Sequence, residues 1–317
     1  MRVLVVGAGA VGGYFGGRML AAGRDVTFLV RPQRAALLAK NGLVIKSPVA
    51  DLSLAAPPTV LSEQLQPGYD LIILSCKAYD LDDAINSFAP GMGEHTLILP
   101  LLNGMRHLDT LEQRFGKERV LGGQCAISST VNADGAILHL AASHTLTFGP
   151  RDGVVTERVK AALAVMSDAG FDPVLSENIL QSMWEKWVLL ASLAASTSLM
   201  RSAIGDILEA PGGQQFVLAM LDECRSIAAA AAYPPSAPFE EYLQKLLTAK
   251  GSPLTASMFR DIENHARVEA DQIIGNLIAR GQQLGLQEPG LPLLRVAYIH
   301  LKAYEARSRR MASSVTK

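Results

Sequence analysis

A chain of 317 residues has room for two domains, and its 49% hydrophobic and 19% charged residues describe a globular protein with ample core material. The 29 basic and 30 acidic side chains leave a net charge of −1, which speaks against nucleic acid as a partner. Cys76, Cys125 and Cys224 lack the spacing of a metal site or a disulfide framework, and so sparse and odd a set fits a cytoplasmic protein.

The apolar N-terminus is interrupted by glycines at 7, 9, 12, 13, 16 and 17 and lacks a polar cleavage region, so it does not read as a signal peptide. No later stretch has the uninterrupted apolar length that crosses a bilayer, and no membrane partner is expected. Residues 2–6 predict an apolar strand, residues 12–22 a helix and residues 25–30 a second strand. Further strands are expected at 42–47, 70–75 and 95–101, and helices at 81–88 and 105–115. Strands alternating with helices predict a parallel, doubly wound sheet. Residues 120–127 and 137–149 read as paired strands extending or flanking that sheet, followed by a helix at 155–168 and a strand at 171–175. From Ser176, with Glu177 a helix start, helical periodicity runs almost throughout, punctuated at Gly205, Pro211-Gly212-Gly213, Tyr233-Pro234-Pro235 and Gly251-Ser252-Pro253. The alanine run at 228–232 predicts helix, and the polar, basic residues 308–317 predict a frayed end.

Gly7-Ala8-Gly9-Ala10-Val11-Gly12 matches GxGxxG between a strand and a helix, the context in which that motif binds a dinucleotide. Gly7 permits the tight turn, Gly9 lets backbone approach the pyrophosphate, and Gly12 allows close helix–sheet packing. The expected architecture is therefore an α/β Rossmann domain with a doubly wound, mostly parallel sheet over residues 1–175. An all-α domain over residues 176–317 follows, for substrate binding and dimerisation. Cofactor choice turns on the exit of the second strand. Asp25 stands at the wrong end of that strand to hold a ribose 2′-hydroxyl, whereas Arg31 at its exit offers a guanidinium fork for the 2′-phosphate of NADP(H). Arg34 either assists or is simply exposed.

Two more strand ends carry polar residues at the carboxyl edge, where open α/β sheets bind ligands. Lys77 reads equally as a cofactor contact and as a solvated lysine. Asn103-Gly104 is also common turn chemistry. In the helical half, Trp184-Glu185-Lys186-Trp187 opens a helix in which residues 187–200 carry no charge. Lys186 is either a lysine snorkelling along two tryptophans or a proton donor whose pKa desolvation lowers. Ser257 and Glu269 would lie about 18 Å apart on one straight helix. A break at Asn264-His265 would bring them nearer, since asparagine tolerates the left-handed conformation. On spacing alone, Glu269 reads as a solvated helix residue.

Together these residues resemble the ketopantoate reductase (2-dehydropantoate 2-reductase) family. The matching features are GAGAVG at 7–12, Arg31, CKAYD at 76–80 and LNG at 102–104. In the second half they are WEKW around Lys186, Gly205-Asp206, SMFRD at 257–261 and VEAD at 268–271. The resemblance spans essentially the whole chain. It implies NADPH-dependent reduction of a small 2-oxo acid in a cleft between two domains. It further implies that Arg31 binds the 2′-phosphate, Lys77 lines the cofactor site and Asn103 sits beside nicotinamide and substrate. Lys186 becomes the general acid, Ser257 the carboxylate holder, and Glu269 the residue orienting lysine or substrate. A helical second domain of this kind also suggests a homodimer, by fold-level analogy.

The match departs from the family pattern at three places. Leu190, Ala194 and Leu254 stand where family members usually carry asparagines. Ser192 and Ser196 face elsewhere on an ideal helix and do not replace them. A site that gives up amides gives up discrimination for a hydroxylated substrate, so a more apolar 2-oxo acid is expected. The other readings are an NADP-dependent 3-hydroxy acid dehydrogenase and an NADP-binding regulatory protein without turnover. Lys186, Ser257 and Glu269 argue against the regulator, which would need the N-terminal residues alone.

Overall fold

The computed structural model describes residues 1–286 and 290–315. Its first strand, β1 (Val3–Val6), is buried along its whole length, as an apolar run must be in a parallel sheet covered on both faces. Helix α1 (Ala10–Ala21) leads to β2 (Val26–Leu29), and α2 (Pro32–Asn41) opens with proline at its first position. Three short strands follow: β3 (Leu43–Lys46), β4 (Leu52–Leu54) and β5 (Thr59–Val60). Then come β6 (Tyr69–Leu74), α3 (Leu81–Phe88), β7 (Met92–Pro100) and α4 (Arg106–Phe115). The hairpin strands β8 (Gly122–Val131) and β9 (Ile137–Gly149), helix α5 (Glu157–Met166) and β10 (Asp172–Leu175) complete this half.

The first sheet has the order β5-β2-β1-β6-β7, with every pairing parallel. The chain moves outward from β1 to β2 and then returns to β6 on the other side of β1. That reversal is the topological switch point at which doubly wound sheets bind their ligands. The second sheet runs β10-β9-β3-β4, with β8 antiparallel on β9. One expectation changes here and another is sharpened. Residues 42–47 form a strand, but it pairs with β9 and β4 and not with the first sheet. The strands at 122–131 and 137–149 flank that sheet as part of a second one. Helix α2 and the strands β4 and β5 have no counterpart among the predicted elements. In α2 Leu38 alone is fully buried, so the segment contributes little to the core that apolar patterning marks.

Both sheets cover α1, which explains a glycine-rich helix that propensity alone would not favour. A Cβ at Gly16 would run into Phe28 and one at Gly17 into Leu43, so small residues let strands approach on both sides. Val3, Val5, Phe15, Phe28, Ile45 and Phe148 are fully buried in the core that results.

The second half is helical: α6 (Ile179–Met200), α7 (Ile204–Glu209), α8 (Gly213–Ala230), α9 (Ala237–Leu247), α10 (Ser257–Glu263), α11 (Asn276–Gln283) and α12 (Pro292–Val315). Ser176 caps the turn ahead of α6 by accepting from the Asn178 N–H at 3.2 Å; the helix itself starts at Ile179, so the Trp184–Trp187 stretch lies inside it rather than at its start. Most of its uncharged segment is buried, with Trp187, Val188, Ala191 and Ala195 at 1% exposure or less. Helix α12 continues through the described residues at 308–315, where fraying was expected; Thr316 and Lys317 lie outside the described residues. No helix among the described residues is long and apolar enough to cross a membrane. The chain forms two compact units: Met1–Leu102 with His107–Ile179, and the helices from Leu180 onward together with Asn103–Arg106.

Candidate functional site

In the first unit, the chain leaves β1 at Gly7, whose φ of +93° favours glycine. The Ser75 hydroxyl, at the end of β6, donates to the carbonyls of Val6 (3.0 Å) and Gly7 (3.3 Å) and pins the turn to the sheet. A Cβ at Gly12 would overlap both that hydroxyl and the Gly7 carbonyl, so Gly12 is demanded by packing. Gly9 differs. It is the exposed N-cap of α1, and a Cβ there would meet nothing within 4 Å. Nothing in the protein's own packing requires glycine at that position. Ala8 is buried beneath the turn, while Ala10 and Val11 start the helix half-buried.

Arg34 is not a solvated residue. Its Nε donates to the Ala8 carbonyl and its Nη1 to the Gly135 carbonyl, each at 3.0 Å, tying the glycine turn to the β8–β9 hairpin. Burial lowers its pKa, and its buried Nη2 finds no hydrogen-bond partner among the described residues. Arg31 caps α2 directly after β2, and its Nη2 pairs with Asp83 Oδ2 at 2.7 Å and Asp80 Oδ1 at 3.2 Å. Those two hydrogen bonds, Asp83's first, raise the guanidinium above its ordinary pKa. Lys77 is exposed at the end of β6 and caps the single helical turn Ala78–Asp80, accepting the Asp80 N–H at 2.9 Å through its carbonyl. Asp25 precedes β2 at the opposite end of the strand and lies 3.9 Å from Arg2.

The second unit holds a small pocket that is partly open to solvent. Its polar lining comes from Asn103, Ser257, Asp261 and Glu269, and its apolar lining includes Leu190, Ala194, Met258 and Ile273. Ser257 and Glu269 thus share one pocket despite their separation in sequence. Helix α10 stops at Glu263, and the residue that takes the left-handed conformation is His265 (φ +56°), not Asn264 (φ −88°). Leu254 is not among the lining residues. Lys186 sits half-buried on α6 and is not in this lining either, but Lys186, Leu190 and Ala194 at i, i+4 and i+8 share one helix face. Ser192 donates back to the Val188 carbonyl at 2.7 Å within its own helix.

Two residues that sequence reading missed shape this pocket. Gln272, 4% exposed, donates from Nε2 to the Asn103 carbonyl at 2.7 Å. Gly104 beside it has a φ of +74°, and a Cβ there would meet the Gln272 carbonyl at 2.9 Å. Gln272 belongs to a π-helical turn, Asp271–Gly275, a form common at functional sites. Asp271 at its start accepts from the Tyr298 hydroxyl (2.5 Å) and Lys302 Nζ (2.9 Å) on α12. Burial pushes the Asp271 carboxyl up, but these partners outweigh it and hold its pKa below the usual range. The second missed residue is Asp261, a second carboxylate in the pocket; its signal was its place in the SMFRD stretch, two residues before the helix ends.

The family model described as "Ketopantoate reductase PanE/ApbA" matches residues 3–153, and its C-terminal companion matches residues 178–305. An uncharacterized oxidoreductase of Bacillus subtilis, YkpB, is 36% identical over 306 residues, covering 96% of this chain and 99% of its own. A 2-dehydropantoate 2-reductase of Archaeoglobus fulgidus is 27% identical over 285 residues, covering 90% and 92%. The crystal structure of a 2-dehydropantoate 2-reductase from Geobacter metallireducens superposes with a TM-score of 0.85 at 26% identity, covering 96% of this chain and 99% of that one.

Proposed function

The chain belongs to the ketopantoate reductase family and is an oxidoreductase of that family, and from this premise we propose that it reduces a 2-oxo acid with NADPH. The substrate is ketopantoate or a related acid with a more apolar side chain. The observation that carries this reading is the pocket itself: Asn103, Ser257 and Glu269 converge on a space whose helix-α6 wall is Leu190 and Ala194.

The turn at residues 7–12 suits a dinucleotide on two grounds. Gly9 leaves open room that the fold does not use, and the buried Arg34 Nη2 beside Ala8 lacks a partner among the described residues. Gly7, Ala8, Gly9, Ala10, Val11 and Gly12 cradle the diphosphate at the start of α1. Arg31 meets the 2′-phosphate and Lys77 lines the same site. When bound, NADPH supplies a hydride to the substrate's carbonyl carbon.

The protein's own groups do the rest. Lys186 polarises the keto oxygen and gives it a proton as the carbonyl π pair moves onto oxygen, leaving a 2-hydroxy acid. Ser257 holds the substrate carboxylate, Glu269 orients the lysine or the nascent hydroxyl, and Asn103 aligns the reacting carbonyl. Residues 1–175 serve the cofactor; residues 176–317 serve the substrate and a homodimer contact. The sparse, odd set of three cysteines supports a cytoplasmic setting.

The test is NADPH oxidation by wild type and Lys186→Ala across a panel of 2-oxo and 3-oxo acids. A loss of about 10²–10⁴ in kcat with 2-oxo acids, at unchanged NADPH affinity, is expected. Preference for a 3-oxo acid would point to the 3-hydroxy acid dehydrogenase, and tight NADPH binding without turnover in either protein to a regulator.

A further inference from the structure

Arg31 is the cation that a 2′-phosphate would use, and it is already shared by two carboxylates. Its Nη2 bonds Asp83 at 2.7 Å and Asp80 at 3.2 Å, the first from the opening turn of α3 and the second from the turn before it. Two negative charges on one guanidinium leave the group net acidic. A phosphate arriving at Arg31 must therefore displace or tolerate both carboxylates, whereas a ribose 2′-hydroxyl brings no charge and can accept from the guanidinium or donate to a carboxylate.

We propose that Asp83, with Asp80, sets the cofactor choice by holding Arg31 in an ion-paired state, so that the preference for NADPH over NADH is narrow. The inference rests on the dinucleotide reading of the first unit. All three side chains are at least one-third exposed, with Arg31 at 67%, Asp83 at 66% and Asp80 at 33%. The ion pairs themselves thus contribute little to folding, and the variants are expected to fold. Their effect on a bound phosphate persists, because each carboxylate repels a group carrying nearly two charges. Asp82, the neighbouring acid in the same helical turn, is not paired with Arg31 and controls for general charge removal.

The experiment is calorimetric titration of wild type, Asp83→Asn, Asp80→Asn, Asp82→Asn and Arg31→Ala at low ionic strength. The ligands are 2′,5′-ADP and 5′-AMP, with NADPH and NADH as the full cofactors. In wild type the phosphorylated ligand of each pair should win by less than about tenfold. Asp83→Asn should widen that ratio about threefold to tenfold, by tightening the phosphorylated ligand and leaving the other within about twofold. Asp80→Asn should act in the same direction, and Arg31→Ala should abolish the preference. Equal tightening of both ligands, no change in Asp83→Asn, or an equal effect from Asp82→Asn would overturn the proposal. If wild type bound none of the four ligands, the cofactor reading beneath it would fall as well.

Discussion

At the scale of single residues, the glycine turn separates what the fold needs from what a ligand needs. Gly12 is wedged against Ser75 and the Gly7 carbonyl, while Gly9 faces open space. Gly12→Ala should cost about 1–3 kcal/mol through overpacking, read as a fall in Tm. Gly9→Ala should cost less than about 1 kcal/mol as an N-cap change, yet weaken NADPH binding at least about tenfold, because the added methyl takes room the pyrophosphate needs. Unchanged NADPH affinity in Gly9→Ala would contradict that assignment. The motif was legible in sequence because its residues are contiguous and its mechanics local. What surrounds Arg31 was not, since Asp80 and Asp83 lie 49 and 52 residues away. Gln272 reaches Asn103 across 169 residues, and a glutamine in a helical stretch carries no mark of that role.

At the scale of elements, α1 is joined to the second sheet by a polar cluster that is largely buried and reaches the surface at Asp172. The Tyr14 hydroxyl on α1 lies 2.8 Å from His144 Nδ1 on β9, whose Nε2 is 3.8 Å from Asp172 on β10. His139 stacks on the His144 ring, and Arg18 lies over the Tyr14 ring. Burial lowers the His144 pKa; Asp172 pulls it up, and His139 and Arg18 push it further down. As pH falls through about 6.5, the unfolded chain takes up this proton before the folded one, so stability drops on acidification. His300 on α12, lowered by burial and by Arg201 and Arg307, adds a contribution of the same sign. Asp51 and Asp271, both held below the usual carboxylate range, add theirs only in stronger acid. Tm should therefore decline between about pH 7 and pH 5, with a shallower slope in His144→Gln. An equal slope in both proteins would remove His144 from this role. Strands and helices with clear periodicity were legible at this scale. Helix α2, with one buried side chain, was not, nor was the transfer of β3 to the second sheet, which pairing decides and periodicity does not.

For the whole molecule, the order of elements foretold a doubly wound sheet followed by helices, because alternation and its end are long-range patterns in composition. The second sheet was only half visible: its hairpin read as paired strands, but nothing local announced that β10 and β3 would complete it. The candidate pocket was legible at Asn103, Ser257 and Glu269 through family resemblance but not at Asp261, and its apolar wall through the departures at Leu190 and Ala194. Leu254 shows the limit of such transfer, since it does not line the pocket. The most direct test of an apolar-substrate reductase is the ratio of kcat/KM for 2-oxo-3-methylbutanoate to that for ketopantoate, measured with NADPH on the purified wild-type protein. The two acids share the 2-oxo carboxylate and differ chiefly in the hydroxymethyl group. A ratio above about ten is predicted, with the larger value in the 10⁴–10⁸ M⁻¹s⁻¹ range of working enzymes. Ketopantoate reduced in that range and preferred over the apolar acid would contradict it.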